Sequence, residues 1–111
     1  MGEGSEMVDV GYPMDEFEVL MGAREVIEEF GWRQGDMGDA EMGFCVAGAV
    51  RHAGNELFGS GAFEPWQAAF DTLRDLVQGD GFCDVGGWND HWGRTERDVL
   101  RMLARAARLH C

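Results

Sequence analysis

Lysine is absent from this 111-residue chain, and all nine basic residues are arginines. That absence removes the phosphate-cradling lysine of a P-loop, Schiff-base chemistry and lysine general bases. Serine is nearly missing as well: Ser5 lies near the start, and Ser60 sits in Gly59-Ser60-Gly61, without the residues of a nucleophile elbow. No apolar run approaches the roughly 18 residues of a membrane span. The three cysteines, Cys45, Cys83 and Cys111, are an odd set without framework spacing. No charged-then-apolar leader precedes them, and Glu6 stands where an acylation signal wants Ser or Thr. The expectation is a reduced, cytoplasmic protein with no membrane association.

What is present argues for a packed globule. Hydrophobic residues make up 45% of the chain, including four Trp and seven Phe, which outweighs a net charge of -12 as a predictor of disorder. The length suits one domain.

The pattern predicts an all-α fold, a compact bundle of about four helices occupying residues 14–111 behind a flexible acidic tail at 1–13. Asp15 and Glu18 have capping-box spacing, and Val19, Leu20, Ala23, Val26, Ile27 and Phe30 recur at helical period until Gly31. Turn residues crowd Gly35-Asp36-Met37-Gly38-Asp39, so 35–43 reads as a loop or short irregular hairpin. Phe44 to Ala53 is small and apolar nearly all round, which fits a buried helix or a short central strand. Pro65 marks a first helical position, followed by Trp66, Ala69, Phe70, Leu73, Leu76 and Val77 on one face as far as Gly79. A Gly/Asp-rich loop then runs to Arg94, and Thr95 with Asp98 caps a last helix carrying Val99, Leu100, Met102, Leu103, Ala106, Ala107 and Leu109.

Charge is segregated. Residues 1–41 hold twelve acids and two arginines, whereas residues 93–111 hold two acids and five arginines. At about 100° per residue, Arg97, Arg101, Arg105 and Arg108 form one stripe on the last helix, and Asp15, Glu18, Glu25 and Glu29 form another on the first. Such stripes can neutralise each other within the chain or across a homodimer two-fold. An arginine stripe left open to solvent would instead grip an acidic partner such as nucleic acid, against the long-range repulsion of a body at -12. The acidic surface could also serve as a nucleic-acid mimic.

Reactive constellations are thin. Cys45, Cys83, His52, His91, Asp84 and Asp90 include the residue types of a zinc site but none of its spacings. Cys83 with His91 could form a thiolate and base, but Asp84 beside the thiol opposes ionisation. Asp80, Asp84 and Asp90 lack the alternation of a calcium loop. No catalytic, cofactor-binding or metal-ligating residue is assigned, no cofactor is implied, and the balance is against an enzyme. Asn89 and Asp90 read as cappers and turn formers. Trp88 and Trp92 beside them need burial against the core or against a partner, and Met37 and Met42 could extend a partner surface.

Three blocks carry a resemblance: Glu29-Phe30-Gly31-Trp32-Arg33-Gln34-Gly35, Phe44-Cys45-Val46-Ala47-Gly48-Ala49-Val50, and Trp88-Asn89-Asp90 with Gly93-Arg94-Thr95. In these the chain resembles a family of small proteins of unknown function from high-GC bacteria and their phages. The resemblance implies a compact, mainly helical domain and brings no activity, cofactor or site residue. The functional expectation is a non-enzymatic interaction or regulatory protein of phage type. It would work on a protein partner through its acidic first half and its Trp-bearing loop.

Overall fold

The computed structural model describes residues 3–59 and 63–109, with side chains described for 16–59 and 67–109. Its elements follow in the order α1 (Glu3–Phe30), β1 (Gly38–Asp39), β2 (Gly43–Phe44), α2 (Val46–Phe58), α3 (Phe63–Gly79), α4 (Val85–Asn89) and α5 (Glu96–Arg108). The fold is mainly helical, as the periodicity predicts, with one small antiparallel hairpin.

The first helix is where the apolar period is, but it also runs upstream of Asp15, where the pattern places its start. The side chain of Asp15, the expected acidic tail at 1–13 and Trp66 lie outside the described side chains. Val19, Leu20, Ala23, Val26 and Ile27 are buried along one face of α1. Gly31 stops the helix in the left-handed region at φ 97°, its amide donating to the Ile27 carbonyl at 2.8 Å.

Within 35–43 the hairpin pairs Gly38 with Phe44 and Asp39 with Gly43. Its turn is held by Asp39 Oδ1, which accepts from the Glu41 and Met42 amides at 2.9 and 2.8 Å. The Phe44 to Ala53 segment resolves as helix rather than strand from Val46 onward, capped by the Cys45 thiol, which accepts from the Gly48 amide at 3.3 Å. Gly48 has to be glycine, because a Cβ there would overlap the Met37 carbonyl of the hairpin. α3 begins upstream of Pro65, which therefore sits inside the first turn, where amides have no intrahelical acceptor.

One element is not visible in the sequence pattern. Inside the expected 79–94 loop, Asp84 accepts from the Gly87 amide at 2.7 Å and starts the single turn α4. Gly86 and Gly87 are poor helix formers, so neither periodicity nor propensity marks it.

Thr95 and Asp98 form the expected reciprocal capping box at α5. The core lies between α1, α2, α3 and α5, where Leu20, Ile27, Leu73 and Leu103 are its largest fully buried side chains. Burial of each stabilises by about 2 kcal/mol. Among the described residues no helix is long and apolar enough to cross a membrane.

Candidate functional site

The loop after α4 is tied to the segment after α1 through one amide. Asn89 is fully buried, and its Oδ1 accepts from Trp32 Nε1 at 2.7 Å and from the Val46 amide at 3.0 Å. Its Nδ2 donates to the Arg33 carbonyl at 3.1 Å and to Asp90 Oδ1 at 2.9 Å. A primary amide offers two donors and two acceptor lone pairs, so Asn89 has nothing left for a ligand. Gln34 Nε2 donates to the Asn89 and His91 carbonyls at 3.0 and 3.1 Å, and the Gly35 amide donates to Asp90 Oδ1 at 3.0 Å. Asn89 and Asp90 cap and turn as the sequence reading has them, Asn89 Oδ1 taking the first amide of α2 and Asp90 standing as the C-cap of α4, but they also do more. Thr95 and Asp98 cap α5, while Asn89 and Asp90 join two distant loops.

The same clamp decides the fate of the two tryptophans. Trp88 is 3% exposed and Trp92 is 90% exposed. Trp88 belongs to the core, one of the two placements the sequence leaves open for it, and is not available as a surface anchor. Its ring is covered by the Arg94 guanidinium, centred 3.9 Å from it, whose Nε donates to the Trp88 carbonyl at 2.8 Å. Trp92 follows on the bend closed by Gly93, at φ 87°, and stands free of the core. Met37 at 40% and Met42 at 61% are also exposed, on the neighbouring hairpin. Loop hydrogen bonds from Gln34 and Gly35 therefore hold the Trp92 bend beside the segment leading to Met37.

The charge stripes do not meet as expected. Arg105 Nη1 lies 3.9 Å from Asp80 Oδ1, a residue at the end of α3. Among the described residues Arg97, Arg101 and Arg108 have no ion-pair partner, and no acid of α1 reaches the stripe. The reason is rotational. Arg24 and Glu25 are one step apart, and the helix turns about 100° in that step. Arg24 consequently faces α5 and shares a groove with Arg97, Leu100, Arg101, Ala104, Arg105 and Arg108. Glu25 and Glu29 face α2 and line a different groove with Phe30, His52, Glu56 and Leu57. Among the described residues the two stripes are thus not paired within the chain. Arg24 belongs to the basic face, which its position on an acidic helix conceals in the sequence.

The Cys/His candidates stay apart. Cys45 is buried at the start of α2, and burial pushes its thiol above the ordinary value despite the Gly48 amide bond. His52 packs against Phe44, ring centroids 4.9 Å apart, with Glu56 Oε2 4.0 Å from its Nε2. Cys83 is exposed, and His91 packs edge-on to Phe82 at 5.1 Å. Among the described residues no group of three or more His, Cys, Asp or Glu side chains could hold a metal ion.

The clamp also explains the most specific of the sequence blocks. Trp88, Asn89, Asp90, Gly93, Arg94 and Thr95 each have a packing, bonding or backbone role, and their counterparts Trp32, Arg33, Gln34 and Gly35 supply the other half. No curated protein and no solved structure matches the chain. The match that does exist covers both halves of the clamp and nearly the whole fold: residues 12–109 correspond to the Family of unknown function (DUF6197), and the chain belongs to that family.

Proposed function

We propose that this is a non-enzymatic interaction protein, in which Trp92 anchors a partner protein on a platform of bonded loops. The observation that carries the reading is the 90% exposure of Trp92 on a bend whose two flanks are fixed, by Gln34 to the His91 carbonyl and by Arg94 to the Trp88 carbonyl. A rigidly presented tryptophan offers a large apolar area and loses little conformational entropy on binding. Met37 and Met42, exposed at the hairpin, offer adaptable apolar contacts of their own. A homodimer would present the anchor twice. The resemblance to proteins of high-GC bacteria and their phages makes a cytoplasmic host protein the partner to seek.

Nucleic-acid binding through Arg97, Arg101, Arg105 and Arg108 draws support from the failure of α1 to neutralise the stripe. It is opposed by the net charge of -12 and by a groove lined only by arginine, leucine and alanine, with no aromatic ring for base stacking.

The test is affinity capture from a lysate of cells that encode the protein, using the wild type and Trp92→Ala in parallel. A reproducible partner should be retained by the wild type and weakened roughly 30-fold by Trp92→Ala, as for a hot-spot residue. The variant should melt with the wild type, because the ring touches little. A partner held equally by both proteins would remove Trp92 from the reading, and no reproducible partner would end it.

A further inference from the structure

The groove between α1 and α5 is basic on both rims and apolar on its floor. Arg24 stands on the α1 side and Arg97, Arg101, Arg105 and Arg108 on the α5 side, around half-buried Leu100 and Ala104, enclosing about 540 Å³. From Arg97 to Arg108 it runs about 17 Å, or three helical turns. Among the described residues its ion pairs are two: Arg24 with Glu28 and Arg105 with Asp80, each at 3.9 Å. Arg97, Arg101 and Arg108 have none among the described residues.

The chain itself carries a surface of the opposite kind. On α1, Glu18, Glu25 and Glu29 are exposed and without ion pairs among the described residues; Glu25 and Glu29 form the rim toward α2, and half-buried Met21 lies between Glu18 and Glu25 in the chain. These residues give α1 an acidic edge beside one partly exposed apolar side chain, Met21. It has the length and charge that the groove accepts in a helix-in-groove contact.

We propose that the groove is occupied by the α1 ridge of a second copy, and that the two copies exchange ridges about one two-fold axis. The direction of the axis follows from the charges. An axis parallel to α1 preserves height along the helix, so Glu25 and Glu29 of one protomer arrive level with Arg24 of the other. The protomers then form two layers offset by half a helix spacing, each α1 resting between the α1 and α5 of the other. An axis lying across the helices would stack α1 on α1 and set the acidic ridges against each other. Such an interface is small and charge-rich, at the low end of the range for stable dimers, so it is concentration-dependent and weakened by salt. Trp92 does not line the groove, which keeps this contact separate from the anchor.

The test is sedimentation of the full chain from 1 to 200 µM, in 50 and in 500 mM NaCl. The expected mass rises from 12.3 kDa toward twice that value in low salt, with at least tenfold weaker association in high salt. Arg101→Glu with Arg108→Glu places acid against acid at both contacts, and Glu25→Arg with Glu29→Arg places base against base. Each double variant alone should be monomeric and should keep the wild-type circular dichroism. An equimolar mixture should recover the dimer, because both contacts are then attractive. Trp92→Ala should dimerise like the wild type, so failure of the anchor and failure of the dimer are read independently. The proposal is overturned by a monomer at 200 µM in low salt, by a dimer indifferent to the reversals, or by a mixture that stays monomeric. A monomer that instead binds a 20-base-pair duplex, with affinity falling steeply in salt, assigns the groove to nucleic acid and overturns it as well.

Discussion

At Asn89 every polar atom of a buried side chain has a partner, whereas along α5 three of four stripe arginines have none among the described residues. The first region is concave only to its own chain and the second only to solvent. Satisfied groups in the interior are architecture, because moving any of them orphans another and costs a full desolvation penalty. Unpaired charges around a groove cost nothing while hydrated and are free to meet an acidic surface. The most distinctive residues of the chain, Trp88-Asn89-Asp90, therefore build the frame. The surface chemistry lies in less conspicuous residues: one bend tryptophan, and arginines spread over two helices.

If that contrast is right, damage at the clamp should be large. Asn89→Ala strands Trp32 Nε1 and the Val46 amide without an acceptor, so a loss of about 3 kcal/mol in urea unfolding is expected, together with altered Trp32 fluorescence. Next comes Gly48→Ala. Its methyl group would displace the hairpin through the Met37 carbonyl, and about 2 kcal/mol should be lost, with chemical-shift changes reaching Met37. Thr95→Ala removes one arm of the capping box and should cost about 1 kcal/mol, confined to the first turn of α5 in hydrogen exchange.

A smaller effect concerns the thiols. Burial raises the Cys45 pKa, so the folded state holds its proton longer than the unfolded chain does. The contribution to stability is full below the ordinary thiol pKa and declines as pH rises through and above it. Alkylation at pH 8 followed by peptide mapping should label exposed Cys83 and spare Cys45 until the protein unfolds. At the far end of the scale, Arg101→Ala should change stability by less than about 0.5 kcal/mol. A large loss there would show the arginine face to be part of the frame, and the contrast between the two regions would collapse.

Much of the frame was legible in advance from particular residues. Gly31 ends α1 in the left-handed region and Thr95 with Asp98 caps α5, because both signals act within one turn of chain. α4 is hidden because its single turn is written in glycines, and the role of Asn89 in joining two loops is hidden because Trp32, Arg33 and Val46 lie more than forty residues away. Trp88 and Trp92 are four residues apart in a segment without period, so nothing local distinguishes the buried ring from the exposed one.

The sequence by itself determined three of the four long helices, α1, α3 and α5, their apolar faces, the cap of α5 and the segregation of acids from arginines, since each depends on spacing along a regular element. Only the tertiary structure decided which tryptophan is buried, which amide ties the loops and whether the two stripes touch. Those outcomes depend on how far each helix is rotated about its axis when its apolar face docks. A step of about 100° between Arg24 and Glu25 is enough to send one to the basic groove and the other to the opposite side.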